Sequence, residues 1–203
     1  MRPPYWDHFR RRDRILHAIV KQVGPCTLRP SRDRFGMLVR SIISQQISTA
    51  AARSIRERLA SVVGESTFTP AGLQRLSDEQ LASAGLSPQK RRYLRDLTDR
   101  VLGGAVRLER IGRYDDERII ETLTQVQGIG RWTAQMFLIF SLRRENVFPV
   151  DDLGVRNAMQ ALYELPADAP KAAYHAVAES WTPFASYGSW YCWRYLELAK
   201  QSK

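Results

Sequence analysis

Cysteine is almost absent from this chain: Cys26 and Cys192 are the only two among 203 residues, and they lie far apart. Two such residues cannot furnish a four-cysteine zinc or iron–sulfur site, and lone cysteines fit a reduced intracellular setting better than a disulfide scaffold. Long apolar runs are missing too. No stretch approaches the roughly 20 residues that a membrane span requires. The start "MRPPYWDHFRRRDR" lacks the apolar core of a secretion signal, and Asp7 and Asp13 within it disfavour a transit peptide. Strand-type alternation, internal repeats and low-complexity tracts are also absent.

Acid is in deficit. The chain has 31 Lys plus Arg against 21 Asp plus Glu, a formal net charge of +10, and arginine supplies most of the excess. Such a balance points to a polyanionic partner, nucleic acid before an anionic membrane surface, since no cationic amphipathic helix stands out. With 44% hydrophobic residues the chain can fill the core of one large domain or two small lobes.

Apolar residues recur at helical spacing throughout, which predicts an all-α protein. In "RFGMLVRSIIS", Phe35, Leu38, Val39, Ile42 and Ile43 line one helix face. The pattern breaks at "QQIS", where Ser48 can cap the next helix. Ser77 and Gln80 form a capping box, Leu76 and Leu81 can staple it, and Gly85 sits where a C-terminal cap belongs. Ser87 with Pro88 opens a helix that runs to Gly103 and Gly104. Asp115 and Asp116 begin another, "RWTAQMFLIFSL" reads as buried helix, and Asp151-Asp152 after Pro149 opens the next. Two further helices begin near Ala169 and Ser186.

Glycine costs up to about 1 kcal/mol in a helix relative to alanine, so Gly128-Ile129-Gly130 between two helical segments calls for a reason. A helix, a Gly-apolar-Gly hairpin and a second helix can turn successive backbone N–H groups outward at a helix N-terminus, where a phosphate accepts them. Arg131 can add charge there, and a tight turn with no ligand is the competing explanation. Downstream, "NVFPVDDLGVRNAM" places two acids before a helix of which only one is needed as a cap. An acid beside bound nucleic acid lies in an unfavourable field unless chemistry requires it, which makes the other a candidate catalyst.

The run "GIGRWTA", followed by "VDDLGV" and preceded by "LVRSIISQQIS" and "GLSPQKRRYL", resembles the helix-hairpin-helix DNA glycosylases, within them the 3-methyladenine DNA glycosylase II branch. The likeness extends from about Phe35 to Trp193. It implies that Asp152 is the catalytic aspartate and leaves Asp151 as the cap. Gly128, Ile129, Gly130 and Arg131 match the phosphate clamp, and the backbone carbonyls of Thr124, Val126 and Ile129 match positions that hold a monovalent cation, sodium or potassium. No cofactor is otherwise expected. Gln127 stands where the family usually has proline. Gln46 matches the wedge that fills the gap left by a flipped nucleotide, an ordinary helix-terminal glutamine being the alternative. Trp132 and Trp193 match pocket aromatics, with Met136 one turn beyond Trp132, whereas Trp6, Trp181 and Trp190 read as packing residues.

The resemblance implies an architecture of two helical lobes with the active-site cleft between them. Residues 34–146 would carry the hairpin, and residues 1–33 with 147–203 would form the second lobe, in which the N-terminal helix packs with the C-terminal helices. The implied function is monofunctional removal of N-methylated purines from double-stranded DNA in base excision repair, by a monomer at the nucleoid of a bacterial cytoplasm and away from membranes. Strand-cutting relatives need a lysine where Trp132 stands, because an amine forms the Schiff base. A non-catalytic damage-binding protein and a glycosylase for neutral oxidised or deaminated bases are the alternatives.

Overall fold

A computed structural model describes residues 2–64 and 67–201, and among them it contains twelve α-helices, one 3-10 turn and no strand. The order is α1 (Pro4–Arg12), α2 (Arg14–Val23), α3 (Arg34–Ser44), α4 (Thr49–Val63), α5 (Pro70–Gln74), α6 (Asp78–Ser83), α7 (Pro88–Leu102), the 3-10 turn (Ile111–Arg113), α8 (Asp116–Thr124), α9 (Arg131–Phe140), α10 (Leu153–Tyr163), α11 (Lys171–Glu179) and α12 (Ala185–Gln201). The chain divides into two compact units. One is Ser31–Leu142; the other joins Met1–Pro30 to Arg143–Lys203.

In the unit of the two chain ends, α12 packs on α2, α10 and α11. The N-terminal segment is two helices rather than the single one expected. Asp13 takes an extended backbone between them, and its Oδ1 accepts the Leu16 N–H at 2.9 Å to cap α2. The other oxygen, Oδ2, accepts from Tyr163 Oη at 2.6 Å, Trp181 Nε1 at 2.8 Å and Ser180 Oγ at 3.2 Å. A buried carboxylate is tolerated when both oxygens have donors, and the three bonds to Oδ2 tie the α1–α2 joint to the C-terminal helices. Trp181 and Tyr191 are fully enclosed, and Trp190 nearly so, as expected of packing aromatics.

In the Ser31–Leu142 unit, α3 buries Phe35, Leu38, Val39, Ile42 and Ile43 against α4, α7 and α9. Helix α9 is buried from Thr133 to Ile139, and enclosing each of its large apolar side chains contributes about 1.5–3 kcal/mol. The expected caps are in place: Ser48 on α4, the reciprocal Ser77–Gln80 box on α6, Ser87 on α7 and Asp115 on α8. Helix α5, which Thr69 caps, carries too short a pattern for sequence periodicity to reveal; Arg95 on α7 donates to the Leu73 and Leu76 carbonyls at its end.

Candidate functional site

The hairpin between α8 and α9 is fixed from below. Val126 N–H donates to Leu123 O at 3.1 Å, Ile129 N–H donates to Val126 O at 3.0 Å, and the Ile129 side chain is buried. Gly128 has φ +81°, and a Cβ there would lie 2.1 Å from the Tyr93 ring on α7. Only glycine satisfies both constraints. Gly130 has an ordinary φ of −91° and begins α9 without a side-chain cap. A Cβ at this residue would meet nothing within 4 Å, so the space over the first turn of α9 is open. Arg131, on that turn, pairs with Glu117 through both guanidinium nitrogens, Nη1 to Oε2 at 2.9 Å. That bond holds the Glu117 carboxyl below its usual range, and any anion approaching Arg131 would have to compete with it.

The break between α3 and α4 is a tight turn. Gln45 is extended and Gln46 is left-handed at φ +55°, with its side chain exposed. Gln45 Nε2 donates to the Gly128 carbonyl at 2.7 Å, which joins this turn to the hairpin. Lys90 Nζ donates to Ile43 O at 2.6 Å and to Gln45 O at 2.8 Å, capping the end of α3. Burial pushes the Lys90 pKa down from 10.5. Beside the turn lies a cavity of about 600 Å³, walled by Met37, Arg40 and Ser41 on α3, Gln45 and Gln46 in the turn, and Trp132 and Phe140 on α9. Trp132 is 42% exposed. Met136, one helical turn further on, is buried and stands outside that wall.

Asp152 stands at the start of α10. Its N–H donates to Pro149 O at 2.9 Å, closing the turn that presents it. Its Oδ1 accepts the Val155 N–H at 2.8 Å and the Trp193 Nε1–H at 2.9 Å, and the residue is 8% exposed. Two donors on one oxygen set the plane of the carboxyl. The expected division of the acid pair is corrected here. Asp152 is itself the helix cap, because the capping residue must immediately precede Leu153, the first helical residue; Asp151 lies one position too early and instead pairs with Lys171 at the surface.

Gln46, Trp132 and the hairpin lie on the Ser31–Leu142 unit, and Asp152 with Trp193 on the other. Sequence reasoning missed Gln45, Lys90, Tyr93 and Asp96, whose carboxylate accepts the Gln127 N–H, as supports of the turn and hairpin, and Met37, Arg40 and Ser41 as cavity wall. The last three lie at helical spacing on α3, off its buried stripe, so a mixed polar face of a helix that ends in the Gln-Gln break was the available signal. Among the described residues, no group of three or more His, Cys, Asp or Glu side chains could hold a metal ion.

A sequence model of the HhH-GPD superfamily of base excision DNA repair proteins matches residues 39–183. DNA-3-methyladenine glycosylase 1 of Schizosaccharomyces pombe is 34% identical, over 94% of this chain and 86% of its own length. The crystal structure of a DNA-3-methyladenine glycosidase from Bacillus halodurans matches with a TM-score of 0.86 at 32% identity, over 96% of this chain and 92% of that one. A 3-methyladenine DNA glycosylase of S. pombe, solved in complex with abasic DNA, matches with a TM-score of 0.82 at 33% identity, over 95% and 96% of the two chains.

Proposed function

The chain belongs to the HhH-GPD superfamily of base excision DNA repair proteins, and from that premise we propose that it is a monofunctional DNA glycosylase that removes alkylated purines from duplex DNA. The observation that carries this reading is Asp152, an acid held with one oxygen fixed by Val155 and Trp193 in a chain of net charge +10 whose similar proteins are named for 3-methyladenine.

A base stacked in a duplex cannot expose its glycosidic bond, so the nucleotide is flipped out at a cost of a few kcal/mol. Gln46, on a turn braced by Lys90 and Gln45, fills the vacated space, and its amide bonds the orphaned partner base. The backbone at Gly128–Gly130 with Arg131 takes a DNA phosphate. An N-alkylated purine is cationic, and the exposed face of Trp132 attracts it by about 0.5–2 kcal/mol. As the bond to the base breaks, positive charge grows on the sugar; the Asp152 carboxylate stabilises it and orients or deprotonates the attacking water. The leaving base is already charged and needs no general acid. Trp132 has no amine for a Schiff base, so the product is an abasic site in an uncut strand.

The Thr124, Val126 and Ile129 carbonyls are hard, neutral oxygen donors of the kind that suits a monovalent cation, which would brace the hairpin; no divalent metal or cofactor is invoked. The enzyme works as a monomer on the nucleoid of a bacterial cytoplasm, and no described helix is long and apolar enough to cross a membrane.

The test is release of free base from duplex DNA bearing N-methylpurines. Wild type releases base and leaves the strand intact until alkali is added. Asp152→Asn keeps an oxygen to accept from Val155 and Trp193 but loses the charge, and release falls by about 10²–10³-fold. Equal release by the two proteins would remove Asp152 from its role, and none by wild type would leave a DNA-binding protein without turnover.

A further inference from the structure

Gln127 stands in the hairpin where the family resemblance leads to an expectation of proline, and glutamine there has a physical cost. Proline fixes its own φ and carries no N–H; glutamine leaves the backbone free to rotate and adds a donor that must be satisfied. On α7 the donor finds a partner: Gln127 N–H donates to Asp96 Oδ2 at 2.8 Å. Asp96 is itself held, because Arg100 Nε, one turn along α7, donates to Oδ1 at 3.0 Å and to Oδ2 at 2.9 Å. The Asp96 side chain retains only 19% of its exposure. Three residues N-terminal to it on the same helix, Tyr93 lies against Gly128, and three before that, Lys90 caps the turn that carries Gln46.

We propose that Asp96 is a positioning residue for DNA binding, which fixes the hairpin through the Gln127 N–H in place of the ring of a proline. The inference rests on the reading of Gly128–Gly130 as a phosphate clamp. A carboxylate accepting a backbone N–H makes a charge-assisted bond, stronger than a neutral one. Its loss lets residues 127 and 128 rotate, and the N–H groups that face the phosphate then have to be ordered on binding. Asp96 touches no DNA in this account, so its removal acts equally on damaged and undamaged duplex. Gln127 thereby makes Asp96 necessary, and a chain with proline at 127 has no use for it.

The experiment is a double-mutant cycle on the full chain. Affinity is measured for an undamaged duplex and for one carrying a tetrahydrofuran abasic analogue, alongside thermal unfolding of each variant. Asp96→Ala weakens binding to both duplexes by about tenfold, the equivalent of one charge-assisted hydrogen bond. Asp96→Asn, which keeps an acceptor oxygen, stays within about threefold of wild type. Combining Gln127→Pro with Asp96→Ala restores affinity to within about twofold, because the proline needs no acceptor. Unchanged binding by Asp96→Ala would overturn the proposal, as would a loss that Gln127→Pro fails to repair, since Asp96 would then act on packing alone. Gly130→Glu places an acid in open space over α9 and must abolish binding to both duplexes. If it does not, the hairpin is no phosphate clamp and Asp96 loses its role for that separate reason.

Discussion

Gly128 and Gly130 lie two residues apart and answer to different constraints. At Gly128 a side chain meets a left-handed φ of +81° and the face of Tyr93 at 2.1 Å, whereas at Gly130 it meets open space. Gly128→Ala therefore costs at least about 2 kcal/mol of stability, from backbone strain together with a displaced ring. Gly130→Ala changes stability by less than about 1 kcal/mol. Urea denaturation of the two variants measures the contrast, and equal losses would mean that Tyr93 yields freely. A hairpin was legible in the spacing of the two glycines, but their division of labour was not, because Tyr93 comes from another helix. The acid pair behaved likewise. That one of Asp151 and Asp152 caps α10 follows from the sequence; that Asp152 does so while also accepting from Trp193 depends on where α12 delivers its indole.

Helices were readable where either a periodic apolar face, as in α3, or a capping signal, as in α6, α7 and α8, stood out. Helix α5 and the α1–α2 joint were not, since five residues carry too little period and Asp13 earns its position through partners at Tyr163, Ser180 and Trp181. Helix α7 shows what periodicity leaves out. Leu94 and Leu97 bury its core stripe, while a neighbouring line of Lys90, Tyr93 and Asp96 supports the Gln46 turn and the hairpin. Lys90→Met keeps the apolar stem but leaves the Ile43 and Gln45 carbonyls without their shared donor. The expected loss is about 1–3 kcal/mol in urea unfolding. The turn that carries Gln46 also loosens, so the preference for abasic over intact duplex shrinks while affinity for intact duplex changes less. An unaltered preference would show that the turn holds its shape without the lysine.

For the molecule as a whole, a net charge of +10 makes duplex binding a matter of counterion release. The logarithm of the binding constant should fall linearly with the logarithm of salt concentration, by about 0.9 for each phosphate contacted. Stability carries a separate dependence on pH through His17. Burial lowers its pKa below the usual 6.5, and Lys21, Arg10 and Arg2 press the same way against the weaker pull of Asp7. The group is thus neutral in the fold where the unfolded chain would bind a proton. Its stabilising contribution is full above 6.5 and declines as pH falls through the lowered value. Melting temperatures taken downward from neutral should show that decline, and His17→Gln should flatten it. Trp132 gives the protein one more property. It is 42% exposed, while Trp181 and Trp190 are buried and Trp6 and Trp193 are half-buried. Collisional quenchers in the buffer would reach its indole before the others, so a change in quenchable tryptophan emission would report the arrival of DNA at α9 without any attached label.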